Sequence, residues 1–153
     1  MTSTSTSDEP AGELQVRSTA SASRYEWGDG CEGWRLLADD DLSVIEERMP
    51  PGTAETWHVH SRSKQLFYLL AGEVEVRTVA GSAALRAGES VTVGPGVPHC
   101  VANTAPDAAR FLVVSAPTTL LDRQAVSPPR RWEAADVPEA GPRLDPGVGG
   151  TTD

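Results

Sequence analysis

A chain of 153 residues carrying 22 acidic and 13 basic side chains, with a formal net charge of −9, suits one domain and lacks the basic stripe of a nucleic-acid surface. No run of 18 or more apolar residues is present, so no membrane-spanning helix is predicted, and the opening MTSTSTSDEPAGE has neither the basic nor the apolar region of a secretory leader. Two cysteines, Cys31 and Cys100, are too few for a disulfide scaffold. The expectation is a soluble cytoplasmic protein with no nucleic-acid or membrane partner.

Residues 1–12 are rich in Ser and Thr with acids and a proline. Such a composition buries too little apolar surface to offset the entropy of ordering, which predicts a disordered tail. Residues 13–117 read as one compact domain of short strands. Residues 14–18 alternate weakly, and Gly28, Gly30 and Gly33 break the chain around Trp27 and Trp34. Strand-like runs follow at 34–38 and 42–49, the second stopped by Pro50, Pro51 and Gly52. Others lie at 56–60, 65–70, 73–79, 91–93, 99–103 and 109–115, with a stub at Leu85. Short strands spaced by Gly, Pro and Asn predict an antiparallel sandwich or barrel, and no segment sustains a helical apolar period. Only residues 120–125 suggest a helical turn. Residues 118–153 turn Pro/Gly-rich and predict a tail, most simply solvated, although Trp132 and Val137 would let its first half dock.

In GEVEVR, residues 72–77, Val74 and Val76 are expected to face the core and Glu73, Glu75 and Arg77 water. The neighbouring QLFYLL is apolar on both faces. The parity that points Gln65 inward also points Phe67 and Leu69 inward, and turns Leu66, Tyr68 and Leu70 out. With Trp57 and Val59 the outward set forms a patch too large for a comfortable monomer surface. A second layer or a homodimer is expected to cover it.

All three histidines of the chain, His58, His60 and His99, fall within residues 52–103. Residues i and i+2 of a strand share a face, with Cα atoms roughly 6.5–7 Å apart, so His58 and His60 can aim both rings at one point. Metal–nitrogen distances of about 2.0–2.1 Å are reachable from that spacing. Gln65 follows the polar turn SRSK at the start of the next strand. His99 follows PGVP, whose prolines and Gly96 set its angle. A lone strand histidine is more often a hydrogen-bonded core residue than a ligand, so the pattern around the three decides.

That pattern resembles the two motifs of the cupin superfamily. In GTAETWHVHSRSKQLFYLLAG, Gly52, His58, His60 and Gly72 match the first motif, G-x5-H-x-H-x3,4-E-x6-G, at their spacings. In GESVTVGPGVPHCVAN, Gly88, Gly96, His99 and Asn103 match the second, G-x5-P-x-G-x2-H-x3-N, with Gly94 where the family has its first proline. The resemblance implies an all-β fold, a cupin-type jelly-roll β-barrel forming a single domain with disordered tails. It also implies one divalent transition metal (Zn, Ni or Fe) held by His58, His60, Gln65 and His99. Residue 65 departs from the family's usual Glu. An amide oxygen can still reach a metal but brings no charge. The ion would then be bound more weakly and act as a stronger Lewis acid.

Two groups within the resemblance carry such a ligand set: small cupins acting on unsaturated sugar acids, and three-His non-haem iron dioxygenases. The catalytic Asp of the first group is unmatched, since Val113 or Ser115 stands at its likely positions. For proton chemistry the candidates are Glu46 as a base and Arg48 as an anchor for a substrate carboxylate. They share one strand parity while Glu47 takes the other with Ile45 and Met49, and only one set can face the barrel. Tyr68 and Cys100 are expected to face away. The chain is thus expected to be a metal-dependent enzyme of isomerase, lyase or cyclase type, polarising a carbonyl or enolate of a small molecule. The alternatives are a three-His iron dioxygenase and a non-catalytic small-molecule-binding cupin.

Overall fold

The computed structural model describes residues 11–133; the expectations for residues 1–10 and for Val137 lie outside them. The strands, in chain order, are β1 (Ser23–Trp27), β2 (Cys31–Ala38), β3 (Ser43–Met49), β4 (Thr53–Ala54), β5 (His58–Val59) and β6 (Lys64–Ala71). They continue with β7 (Glu73–Thr78), β8 (Gly81–Arg86), β9 (Ser90–Val93), β10 (Cys100–Asn103), β11 (Ala109–Ala116) and β12 (Gln124–Ala125), before a short 3-10 turn at Arg130–Trp132. Among the described residues no helix is long and apolar enough to cross a membrane.

The strands form a six-stranded sheet, β1-β2-β3-β11-β6-β9, a four-stranded sheet, β4-β10-β7-β8, and a two-stranded ribbon, β12-β5. One core joins the two larger sheets: Met49, Phe67, Leu69, Phe111 and Val113 from the first meet Val74, Val76, Leu85 and Val101 from the second. Period-two alternation produces this directly. In β6, Gln65, Phe67 and Leu69 are buried while Tyr68 and Leu70 are 38% and 41% exposed. The result is the all-β jelly-roll barrel expected from the sequence.

Two motif residues have local causes. Gly72 turns β6 into β7 at φ +79°, and a Cβ there would lie 2.6 Å from the Ala108 carbonyl oxygen, so no side chain fits. Asn103, fully buried, donates to the carbonyls of Met49 and Asp107 at 2.9 Å each and accepts from the Ala105 amide at 3.0 Å. It thereby ties the end of β10 to the end of β3.

Several expectations are corrected. Residues 14–18 form no strand, and Leu14 and Val16 are 90% and 94% exposed. The glycines around Trp27 make a hairpin turn instead, between β1 and β2, and Gly33 lies inside β2. Residues 120–125 do not coil into a helix; β12 pairs with β5. Residues 118–133 lie against the barrel, where Trp132 sits 6.5 Å from Trp57 and donates from Nε1 to the Thr78 carbonyl at 2.8 Å. This strap also covers Arg77, whose guanidinium lies 4.7 Å from the Trp132 ring and is buried instead of facing water. Trp57, for which a second layer or a second subunit was expected as cover, is buried under Trp132 and Val126 of the same chain.

Candidate metal centre

β5 carries His58, and His60 follows it in the chain. The second motif's turn brings His99 opposite, so that His58 and His99 exchange backbone hydrogen bonds of 3.1 and 2.9 Å. The Gly96 amide donates to the His60 carbonyl at 2.7 Å, which pins the PGVP turn to the same residue pair. All three rings are buried, with centroids 4.3 to 5.6 Å apart, and each offers a ligand atom within 4.8 Å of the others.

Every Nδ1 is engaged by a main-chain carbonyl: His58 with Thr56 at 2.8 Å, His99 with Val97 at 2.9 Å, His60 with Asp122 at 2.6 Å. A neutral imidazole whose Nδ1–H is donated leaves Nε2 as a bare lone pair, the form a metal takes. Burial favours the neutral form of His58 and His99. It pushes His58 well below the usual histidine range and His99 down to about 4, with the neighbouring histidines and Arg123 acting in the same direction.

Gln65 enters from β6. Its Oε1 lies 3.0 Å from His99 Nε2, and its amide nitrogen donates to Ser115 Oγ at 3.1 Å. With His99 Nδ1 donating to Val97, this contact sets one lone pair against another. A cation between them resolves the clash, so the donor set fits a metal ion. The residues that would hold it are His58, His60, His99 and Gln65.

Glu46 and Arg48 are placed elsewhere. Both lie on the outer face of β3: Glu46 Oε2 accepts from Arg110 Nε at 2.9 Å, and Arg48 Nη1 lies 3.7 Å from Glu32. Neither reaches the histidines. The opposite parity faces the barrel and brings Glu47 in, 3% exposed, where the Tyr25 hydroxyl donates to its Oε2 at 2.6 Å. Burial raises the Glu47 carboxyl to about 7, against the lowering effects of Tyr25, Arg123 and Arg35. Burial and the adjacent Glu47 likewise raise Tyr25 well above the usual phenol range.

A narrow cavity beside the histidines is lined by Glu47, Glu55, His60, Gln65, Ser115, Thr119 and Arg123, with Ile45, Phe67 and Val113 as its apolar wall. Glu55 accepts from the Val101 amide at 3.1 Å. Cys100 faces away, its thiol on the Glu55 carbonyl at 3.2 Å. A larger hollow between β7, β8 and β9 carries no titratable side chain. Sequence reasoning therefore missed Tyr25, Glu55, Asp122 and Arg123. Glu47 was one of two open parities, and the buried Met49 two residues on was the available signal.

Residues 45–115 match the family model described as Cupin domain. The chain is similar to a Klebsiella pneumoniae protein with a double-stranded β-helix domain, at 24% identity and a TM-score of 0.63, over 74% of this chain and 98% of that one. A Thermus thermophilus protein is 28% identical, with a TM-score of 0.57 over 68% and 98%. A sugar phosphate isomerase of Silicibacter pomeroyi is 20% identical, with a TM-score of 0.59 over 67% and 75%, a level that shows a shared fold alone. No curated protein matches the chain.

Proposed function

We propose, from the buried donor set of a chain whose residues 45–115 match the cupin domain, that it is a metal-dependent enzyme of isomerase, lyase or cyclase type acting on a carbonyl or enolate of a small molecule. The observation that carries this reading is the placement of the buried Glu47 carboxyl, to which the Tyr25 hydroxyl donates, on the cavity that His60 and Gln65 also line. A metal bound there supplies Lewis-acid polarisation of a substrate oxygen.

The chain's own residues supply the rest. Burial raises the Glu47 carboxyl towards neutrality, which suits it to take a proton from a carbon next to a carbonyl and return it. Tyr25 donates to the same carboxylate and steadies its charged form. Arg123 puts a fixed positive charge on the cavity wall, suited to a carboxylate or other anionic group on the substrate. Ile45, Phe67 and Val113 exclude water from one side. Positioned proton transfer favours this reading over the dioxygenase.

The test is proton exchange. Protein loaded with zinc or nickel is incubated in D₂O with a panel of small hydroxy- and keto-acids, and exchange at the α-carbon is followed by NMR. Oxygen-independent exchange that disappears in Glu47→Gln supports the reading. Turnover only with iron and O₂ consumption overturns it in favour of a dioxygenase, and absence of metal uptake removes both. We also propose the homodimer expected from the sequence, now through the outer face of the six-stranded sheet.

A further inference from the structure

We propose that the C-terminal strap, residues 118–133, is part of the metal centre, with Asp122 as the positioning residue for His60. The inference rests on the reading of the histidine cluster as a metal site. His58 and His99 each find their Nδ1 acceptor two residues back in the chain, at Thr56 and Val97. His60 does not. Its acceptor is the Asp122 carbonyl at 2.6 Å, 62 residues further on.

The carboxylate of the same residue holds the loop that leads from His60 to Gln65. Asp122 Oδ1 accepts from the Ser61 amide at 2.9 Å and the Ser61 hydroxyl at 2.7 Å, while Oδ2 accepts from the amides of Arg62 at 3.0 Å and Ser63 at 2.9 Å. These are charge-assisted bonds to a side chain only 6% exposed, so they fix the loop firmly. The chain on either side is secured as well. Ala125 pairs with His58 and Gln124 with Val59, the Val126 amide donates to the Trp57 carbonyl at 2.9 Å, and Trp132 anchors the far end on Thr78.

One residue thus sets both the tautomer of His60 and the path of the backbone between two ligands. Hydrogen bonds of this kind orient a ligating imidazole, and losing them costs about 10–100-fold in metal affinity. Without the Asp122 carboxylate the loop loses its register, and the main-chain carbonyl that fixes the Nε2 presentation of His60 loses its anchor to that loop.

The experiment measures Zn²⁺ affinity of the full chain by chelator competition, for wild type, Asp122→Ala, Asp122→Asn, His60→Ala and the double variant Asp122→Ala/His60→Ala. Asp122→Ala, which keeps the carbonyl but removes the carboxylate that holds it in place, is expected to weaken binding about 10–100-fold. In the His60→Ala background the same change is expected to add little, because the residue acts through His60. Cobalt-loaded Asp122→Ala is expected to show a visible spectrum changed towards that of His60→Ala. Equal weakening in both backgrounds marks a merely structural role and overturns the proposal, as does wild-type affinity in Asp122→Ala. If Asp122→Ala fails to fold, Asp122→Asn decides: it keeps the shape but opposes an amide NH₂ to the loop's donors, and unchanged affinity overturns the proposal. A wild-type chain that binds no zinc overturns the metal-centre reading, and this proposal with it.

Discussion

Tyr25 reaches across Gly33 to place its hydroxyl 2.6 Å from Glu47 Oε2. The register sets Tyr25 opposite Gly33 and Gly33 opposite Glu47, so the three stand in one row across β1, β2 and β3. A Cβ on Gly33 would lie 2.2 Å from the Tyr25 ring, so only glycine leaves the slot through which the phenol passes. Gly33→Ala is therefore expected to expel the ring and break the pair, destabilising the fold by about 1–3 kcal/mol. Tyr25→Phe, which keeps the ring and removes the donor, is expected to cost about 1–3 kcal/mol through the buried carboxyl it leaves under-bonded. Urea unfolding of both variants at fixed pH checks this; wild-type midpoints in both would remove the row as a structural unit.

The raised carboxyl of Glu47 makes a signed pH prediction. Between pH 4.5 and about 7 the unfolded chain releases this proton while the folded chain keeps it, so the group's contribution to stability falls as pH rises. The groups facing it are Tyr25 from β1, Arg35 from β2 and Arg123 from the strap, with Glu55 and His60 across the cavity. The depressed histidines act oppositely: their contribution is present above pH 6.5 and is lost as pH falls towards 4. They are common to wild type and Glu47→Gln, so the difference between the two isolates Glu47. The Gln variant is expected to gain on wild type from pH 4.5 to 7, by about 3 kcal/mol at roughly 1.4 kcal/mol per unit. A pH-independent difference would show that Glu47 is not held protonated by the fold.

Gln65 gives a third prediction. Its amide nitrogen rests on Ser115, whose hydroxyl can rotate to donate instead of accept. Gln65→Glu can thus keep the same rotamer while adding a negative charge against the cation. It is expected to tighten zinc binding at least tenfold, and Gln65→Ala to weaken it. Isothermal titration reads both, and equal affinities for all three proteins would place residue 65 outside the donor set.

Much of this architecture was legible because it follows from period two and from turn residues. The alternation of Gln65, Phe67 and Leu69 against Leu66, Tyr68 and Leu70 needs only strand geometry, and the match of His58, His60 and His99 to the two cupin motifs carried the site. What escaped depends on partners distant in sequence. Gly33 reads as a break unless Tyr25 is known to lie across it. Glu46 and Glu47 are adjacent, and parity alone leaves open which faces in. Asp122 sits in a Pro-rich stretch whose composition suits a solvated tail, and its role appears only when four donors at residues 61–63 come to it.

The proposed homodimer has a defined surface. On the outer face of the six-stranded sheet Leu112 stands opposite Tyr68 and Val114 opposite Leu66, with Leu70 beyond them. Tyr68 and Leu70 are over a third exposed. Tyr68→Glu with Leu70→Glu is expected to convert a dimer into a monomer in light scattering while leaving metal affinity unchanged. A monomeric wild type at high micromolar concentration would show the face to be solvent-exposed.

Linkage extends the role of the strap to the whole protein. If residues 118–133 complete the metal centre through Asp122, then metal must stabilise the docked strap by the same free energy by which docking tightens metal. Arg123, Arg130 and Arg131 lie within the strap and are trypsin sites. Binding ligand to the docked form lowers the population of the released one, in proportion to ligand over Kd when ligand is in excess. Saturating zinc is therefore expected to slow tryptic cleavage at these arginines by tenfold or more, and to slow cleavage at Arg17, outside the barrel, little or not at all. Asp122→Ala is expected to lose the protection. Equal slowing at Arg17 would indicate zinc acting on the protease, and unchanged cleavage within the strap would uncouple it from the histidines.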